Sequence, residues 1–211
     1  MKKLLITLPN YDDATHYVSS WSIPIIKEAE KENVKIFKLE GKKVTRKMFF
    51  SFLEKNKPRF LVLNGHGSEK AIYGHNDEEM IVEEDDKKFE NKIIYTIACD
   101  AVKSLGNSII KRGGECFIGY KGKFVFWFDL HKASRPLDDE KAKSFFVSTN
   151  AIPISIIKGN STLESVEKAK NVFKKEIARW RLSKEIEAPF MIKALLWDLM
   201  SLEHLGKATF L

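Results

Sequence analysis

The chain has 211 residues, 44% hydrophobic and 31% charged, with a formal net charge of +7. This balance suits one generous domain that buries a substantial core, and it excludes disorder as the main state; no apolar run spans a bilayer, and two cysteines make neither a disulfide framework nor a zinc motif. The positive charge is spread out, and residues 61–100 hold 10 acidic against 4 basic side chains, so no nucleic-acid partner is expected and that segment reads as a surface for a basic substrate.

Lys3 to Leu8 is an apolar run of strand length, too short before Pro9 for a secretory signal, so a cytoplasmic location is expected. The loop "PNYDDAT" leads to a helix through "WSIPIIKEAEKEN", with Pro24 near its first turn, and then to a short strand, "VKIFKLE". Thr45 reads as the N-cap of "RKMFFSFLEKNK", in which Met48, Phe49, Phe52 and Leu53 recur at helical spacing. "RFLVLN" is apolar on both faces, as a buried parallel strand requires. "AIYGHNDEEMIVEED" predicts a hairpin around "GHND", "KIIYTIAC" a strand, "AVKSLGNSIIKRG" a helix, and "ECFIGY" another strand.

"KFVFWFDL" reads as an additional strand. Asp138 to Val147 is predicted helical, and Asn150 to Lys158 stays open between helix and break because of Pro153. Ser161 and Glu164 form a capping-box pattern before a stripe of Leu163, Val166, Phe173, Ile177 and Trp180. A last helix is predicted from Lys184 to His204, and Trp21, Trp127, Trp180 and Trp197 are expected to pack in core or helix contacts. Strands alternating with helices give an α/β fold: a mostly parallel sheet with helices on both faces over residues 1–160, and a helical extension over 161–211 packed on the same domain.

In such sheets ligands sit beyond the carboxyl ends of the strands, where His66 and Cys99 both fall. A thiol becomes a nucleophile when ionised, and a nearby histidine or helix N-terminus lowers its pKa; the helix predicted from Ala101 supplies the second. Gly65 and Gly67 flank His66 and allow close backbone approach, and the N–H groups of Gly67 and Cys99 are candidate oxyanion donors. Taken singly, Cys99 reads as a small buried hydrophobe and His66 as a structural turn residue; their equivalent positions at strand ends together favour chemistry. Cys116 begins its strand, far from Cys99, and reads as a buried inert thiol. A metal gathered by His66, His75, Cys99 and Asp100 is an open alternative, whereas "LPNYDD" is no phosphate loop, and no cofactor is expected.

"LVLNGHGS" followed by "IIYTIACDAVKSLGNSIIKRGGECFIGY" resembles the caspase-hemoglobinase fold (clan CD) cysteine peptidases, most closely their gingipain-like and CHAT-domain members. "FWFD" is similar to the Trp-x-x-Asp region of CHAT domains with Trp127 and Asp129 one residue closer, and "KGNSTLESVEKAK" to the family's Gly-x-Ser-x-x-Glu-Ala helix start. The resemblance implies a caspase-like three-layer sandwich, with His66 as general base and acid and Cys99 as nucleophile acting on a peptide or protein substrate. Asp100 and Ala101 depart from the small or hydroxyl residues of many relatives, and the family includes inactive interaction modules. It also implies a substrate pocket drawn from Ile97, two residues before the cysteine, and from the loop after the first strand. Asp12 and Asp13 in that loop imply a preference for Arg or Lys before the scissile bond, with a turn-forming role as the competing reading.

Overall fold

The computed structural model describes residues 1–211. Its six-stranded sheet has the order β2-β1-β3-β6-β7-β8, formed by β1 (Lys3–Leu8), β2 (Lys35–Glu40), β3 (Phe60–Leu63), β6 (Ile93–Thr96), β7 (Cys116–Tyr120) and β8 (Leu202–Gly206). Every pairing from β2 to β7 is parallel, and β8 joins β7 antiparallel. A separate antiparallel hairpin consists of β4 (Ala71–Tyr73) and β5 (Glu79–Val82).

The period-2 alternation of the strands divides the core in two. Leu4, Ile6, Phe60, Val62, Tyr95, Ile118 and Tyr120 face the layer of α1 (Asp13–Trp21), α2 (Ile23–Lys31), α5 (Glu140–Ile157), α6 (Thr162–Arg181) and α7 (Ala188–Ser201). Leu5, Leu61, Leu63, Ile94 and Phe117 face α3 (Arg46–Asn56), the β4–β5 hairpin and α4 (Asn107–Lys111). The result is the expected α/β sandwich, with the central strands β3, β6 and β7 buried on both sides because both sides are covered.

Local signals account for most boundaries. The Thr45 hydroxyl accepts from the Met48 N–H to start α3, which ends at Lys57 in the left-handed conformation. The Ser161/Glu164 capping box forms as predicted: Glu164 accepts from the Ser161 N–H at 2.9 Å while Ser161 Oγ accepts from the Glu164 N–H at 3.3 Å. Pro153 lies inside α5 without ending it. A proline there frees the carbonyl of Thr149 one turn earlier, and the Tyr95 hydroxyl donates to that carbonyl at 3.1 Å.

Four details differ from the sequence expectation. Asp13 to Trp21, read in part as loop, is helical because Asp12 and Thr15 make a capping box of their own. "KFVFWFDL" pairs with no strand; Phe124, Val125, Phe126 and Phe128 pack on the core, so its apolar pattern reflects burial of an unpaired strap and not a ladder. The last helix stops at Ser201, and Leu202–Gly206 returns as β8. Leu163 is exposed although the rest of its stripe is buried. Trp127 and Trp197 lie outside the core, where Trp127 keeps a helix contact with Phe190 and Trp197 donates to the Lys123 carbonyl.

Candidate active site

The strand order 2-1-3 reverses between β1 and β3, which opens a crevice at their carboxyl ends. Asp12 follows β1, His66 follows β3, and Cys99 follows β6. The three strand ends are tied together by buried polar residues. Asn64 donates its N–H to Thr7 Oγ1 at 2.8 Å and its Nδ2 to the Thr7 carbonyl at 2.7 Å and to Ser22 Oγ at 2.9 Å. Thr96 Oγ1 donates to the Leu63 carbonyl at 2.8 Å and accepts from the Ala98 N–H at 3.0 Å. These groups fix where the His66 and Cys99 loops leave the sheet, and sequence reasoning passed over them; a lone polar residue ending each apolar run was the available signal.

Two glycines are required by this geometry. Gly65 has φ +148°, and a Cβ there would lie 2.2 Å from the Tyr73 carbonyl oxygen. A Cβ on Gly67 would lie 2.8 Å from the Cys99 nitrogen, so the two predicted oxyanion donors are backbone neighbours. Gly67 faces Ile72 in an antiparallel bridge whose hydrogen bonds run through the flanking residues, Tyr73 N–H to the His66 carbonyl and Ser68 N–H to the Ala71 carbonyl. The Gly67 N–H is therefore directed away from that pairing.

His66 and Cys99 line one cleft of about 390 Å³ together with Ile97. No hydrogen bond joins the two; His66 Nε2 instead contacts Asp12 Oδ2 at 2.6 Å. Asp12 Oδ1 accepts from the Thr15 N–H and hydroxyl, both at 2.7 Å, so this one carboxylate caps α1 and orients the imidazole. Burial works to raise the Asp12 carboxyl, and the bonds from His66 and Thr15 outweigh it and hold it below its ordinary range. Tyr11 sets its ring edge-on to both His66 and His75 and donates to Asp77 at 2.6 Å.

Cys99 is partly buried, and burial raises its thiol; the Asp100 charge adds to this, while a backbone bond from Phe124 and the Lys123 charge oppose it. The expected help from a helix N-terminus is weak. Asp100 takes a left-handed φ of +60°, Val102–Gly106 forms a wide π-type turn, and the regular helix starts only at Asn107. Asp100 turns to Lys103 at 2.8 Å.

The acidic residues do not gather in the cleft. Asp13 is exposed in the first turn of α1, and neither it nor Asp12 lines the cavity wall, which holds no carboxylate. Asp85 is held by Arg46 and Lys88, and Asp86 by Ser108 and Arg112, in the layer of α3 and α4. Asp85 and Asp86 are thus internally paired, whereas Asp77, Glu78, Glu79, Glu84 and Glu90 stay exposed and none of them lines the cleft. No cluster of three His, Cys, Asp or Glu side chains has the spacing to hold a metal ion, so His66, His75, Cys99 and Asp100 do not converge. Cys116 is fully buried at the start of β7, in register with Ile93 at the opposite end of β6 from Cys99.

The sheet order, the covered faces and the position of the cleft define an α/β protein with the caspase-like fold of the gingipain cysteine peptidases. Among solved structures, the chain is similar to the complex of Porphyromonas gingivalis RgpB pro- and mature domains, with a TM-score of 0.59 and 14% identity over 98% of this chain and 47% of that one. It is equally similar to the Arg-specific cysteine proteinase gingipain R (RgpB), with a TM-score of 0.59 and 13% identity over 100% of this chain and 47% of that one. The chain therefore spans about half the length of these structures, and at this identity the likeness is one of fold. No protein-family model and no curated protein sequence matches. No helix is long and apolar enough to cross a membrane.

Proposed function

We propose that the chain is a cysteine endopeptidase in which Cys99 is the nucleophile and His66 the general base and acid. The observation that carries this reading is the position of Cys99 and His66 on one cleft, with Asp12 bonded to His66 Nε2. An ionised Asp12 accepts a proton-bearing Nε2, which leaves Nδ1 with its lone pair as the basic nitrogen. His66 takes the thiol proton as the sulfur attacks the peptide carbonyl, and the carbonyl electrons move to oxygen, where the N–H groups of Gly67 and Cys99 receive them. Collapse breaks the C–N bond, and the leaving amine takes the proton back from His66; water then hydrolyses the thioester. The raised thiol makes this proton transfer part of the catalytic step and gives no standing thiolate.

A preference for Arg or Lys, expected from Asp12 and Asp13, loses support once Asp12 is engaged by His66 and Asp13 is outside the cavity wall. The test is digestion of a mixture of unstructured peptides, read by mass spectrometry, beside Cys99→Ala and His66→Ala. Cleavage lost in both variants supports the dyad; cleavage retained in either removes it. The second reading is a catalytically silent interaction module of the same fold, favoured by the raised Cys99 thiol and the lack of a Cys99–His66 bond. Absence of cleavage by the unmodified chain would decide for it.

A further inference from the structure

The strap from Gly122 to Phe128 pairs with no strand, and alternate residues along it, Phe124, Phe126 and Phe128, form an aromatic row. Successive ring centroids lie 6.2 and 5.8 Å apart, and Phe128 and Phe126 abut Tyr17 of α1 at 4.7 and 5.9 Å. These three rings line the cleft beside Ile97 and Val18, on the same cavity as Cys99. We propose that this aromatic row is the specificity wall of the site, and that the residue it accepts before the scissile bond is large and apolar: Phe, Leu or a similar side chain.

The inference rests on the peptidase reading and adds the substrate class. Burying an apolar side chain against such a wall is favourable in proportion to the area removed from water, and a buried charge needs a partner. The wall has none for a cation. Its one formal charge besides the catalytic pair is Lys123, which repels Arg and Lys. Two carboxylates near the strap are committed elsewhere. Asp129 caps the turn at His131, and Asp139 caps α5 and accepts from the Tyr17 hydroxyl at 2.9 Å. Asp198 is fully buried behind the strap, where it accepts from the Val125 N–H at 3.0 Å, and it does not line the cleft.

The test is a set of peptidyl acyloxymethyl ketones identical except for the residue next to the reactive ketone: Phe, Leu, Arg, Lys or Asp. In each, the Cys99 sulfur bonds to the methylene carbon as the acyloxy group leaves as carboxylate, and intact mass gives the rate, with Cys99→Ala as the blank. The expected result is labelling by the Phe or Leu probe at least about tenfold faster than by the Arg and Lys probes, the range that pocket burial of this kind yields. Equal or faster labelling by Arg, Lys or Asp probes overturns the apolar wall and leaves the peptidase reading intact. No labelling by any probe, with Cys99 still alkylated by iodoacetamide, overturns both. Ala14→Asp gives an independent check, because Ala14 lines the cleft in the first turn of α1, where a carboxylate is tolerated. The added charge should raise the ratio of Arg to Phe labelling severalfold; an unchanged ratio would remove that side of the cleft from the substrate pocket.

Discussion

Asp12 does two jobs with one carboxylate, and substitutions can separate them. Asparagine caps a helix nearly as well as aspartate but carries no charge to hold the imidazole. Asp12→Asn is expected to keep the unfolding midpoint close to that of the parent while lowering peptide cleavage by about ten- to a hundredfold, part of what general-base catalysis supplies. Asp12→Ala should show the same loss and also destabilise the fold by about 1 kcal/mol, the usual worth of an N-cap. Denaturant titration beside the cleavage assay distinguishes them; equal activity in Asp12→Asn and the parent would end the positioning role. Asp198 is the residue with the opposite electrostatics. Burial raises its carboxyl well above the ordinary range, the Val125 N–H only partly offsets this, and Oδ2 has no partner. A group with a raised folded pKa leaves stability intact below its unfolded value, near 4, and withdraws it as pH rises toward the folded value. Asp198→Asn should therefore gain stability relative to the parent between pH 5 and 8, measured by urea unfolding at both; a difference independent of pH would show that Asp198 does not titrate in this way.

Elements were legible in proportion to how locally they are determined. The capping box at Ser161 is written in four consecutive residues and forms as read; Ser161→Ala should cost about 1 kcal/mol and lower the melting temperature with cleavage unchanged. The strand ends were readable as well, because "FLVL" and "IIYT" are short apolar runs of strand length, and in the fold they are buried on both faces. By contrast, β8 was hidden. "LEHLG" continues a helix without a break, alternates poorly, and becomes a strand only because β7 offers it an open edge. The strap failed in the other direction, since its Phe alternation mimics a strand while its backbone has no ladder partner. At the site, Cys99 and His66 could be located from strand ends, but the Asp12–His66 contact joins residues 54 apart in sequence and depends on the reversal of strand order between β1 and β3. The loop of Gly67 belongs to this scale too. Gly67→Ala would drive a methyl into the Cys99 backbone and is expected to abolish cleavage while the far-ultraviolet circular dichroism spectrum stays native; full activity would mean the Gly67–Cys99 approach is not part of the site.

At the scale of the whole molecule, the two cysteines report on different depths of one structure. Cys99 sits at the cleft, accessible to reagent, whereas Cys116 lies in β7 between β6 and β8, fully buried, with its sulfur 3.2 Å from His204 Nε2 and its thiol pushed up by burial to about 12. Cys116 faces the α6 layer beside His204 of β8, so exposing it requires β8 and the α6 layer to come apart from β7. Strand β8 is secured at its far end, where Glu115 accepts from Arg59 at 2.6 Å and from the Thr209 hydroxyl at 3.0 Å, and Arg59 donates to the Phe210 carbonyl at 2.7 Å. Opening β8 therefore also breaks the contacts of α6 and the chain terminus with the sheet, so the strand is expected to open with the core and not by itself. In native buffer iodoacetamide should modify one thiol, Cys99, and in urea the logarithm of the Cys116 labelling rate should climb with the same slope as global unfolding. A Cys116 rate that stays flat at low urea, while circular dichroism still reports a folded chain, would mean that β8 detaches as a separate unit and that the sheet is cooperative only from β2 to β7.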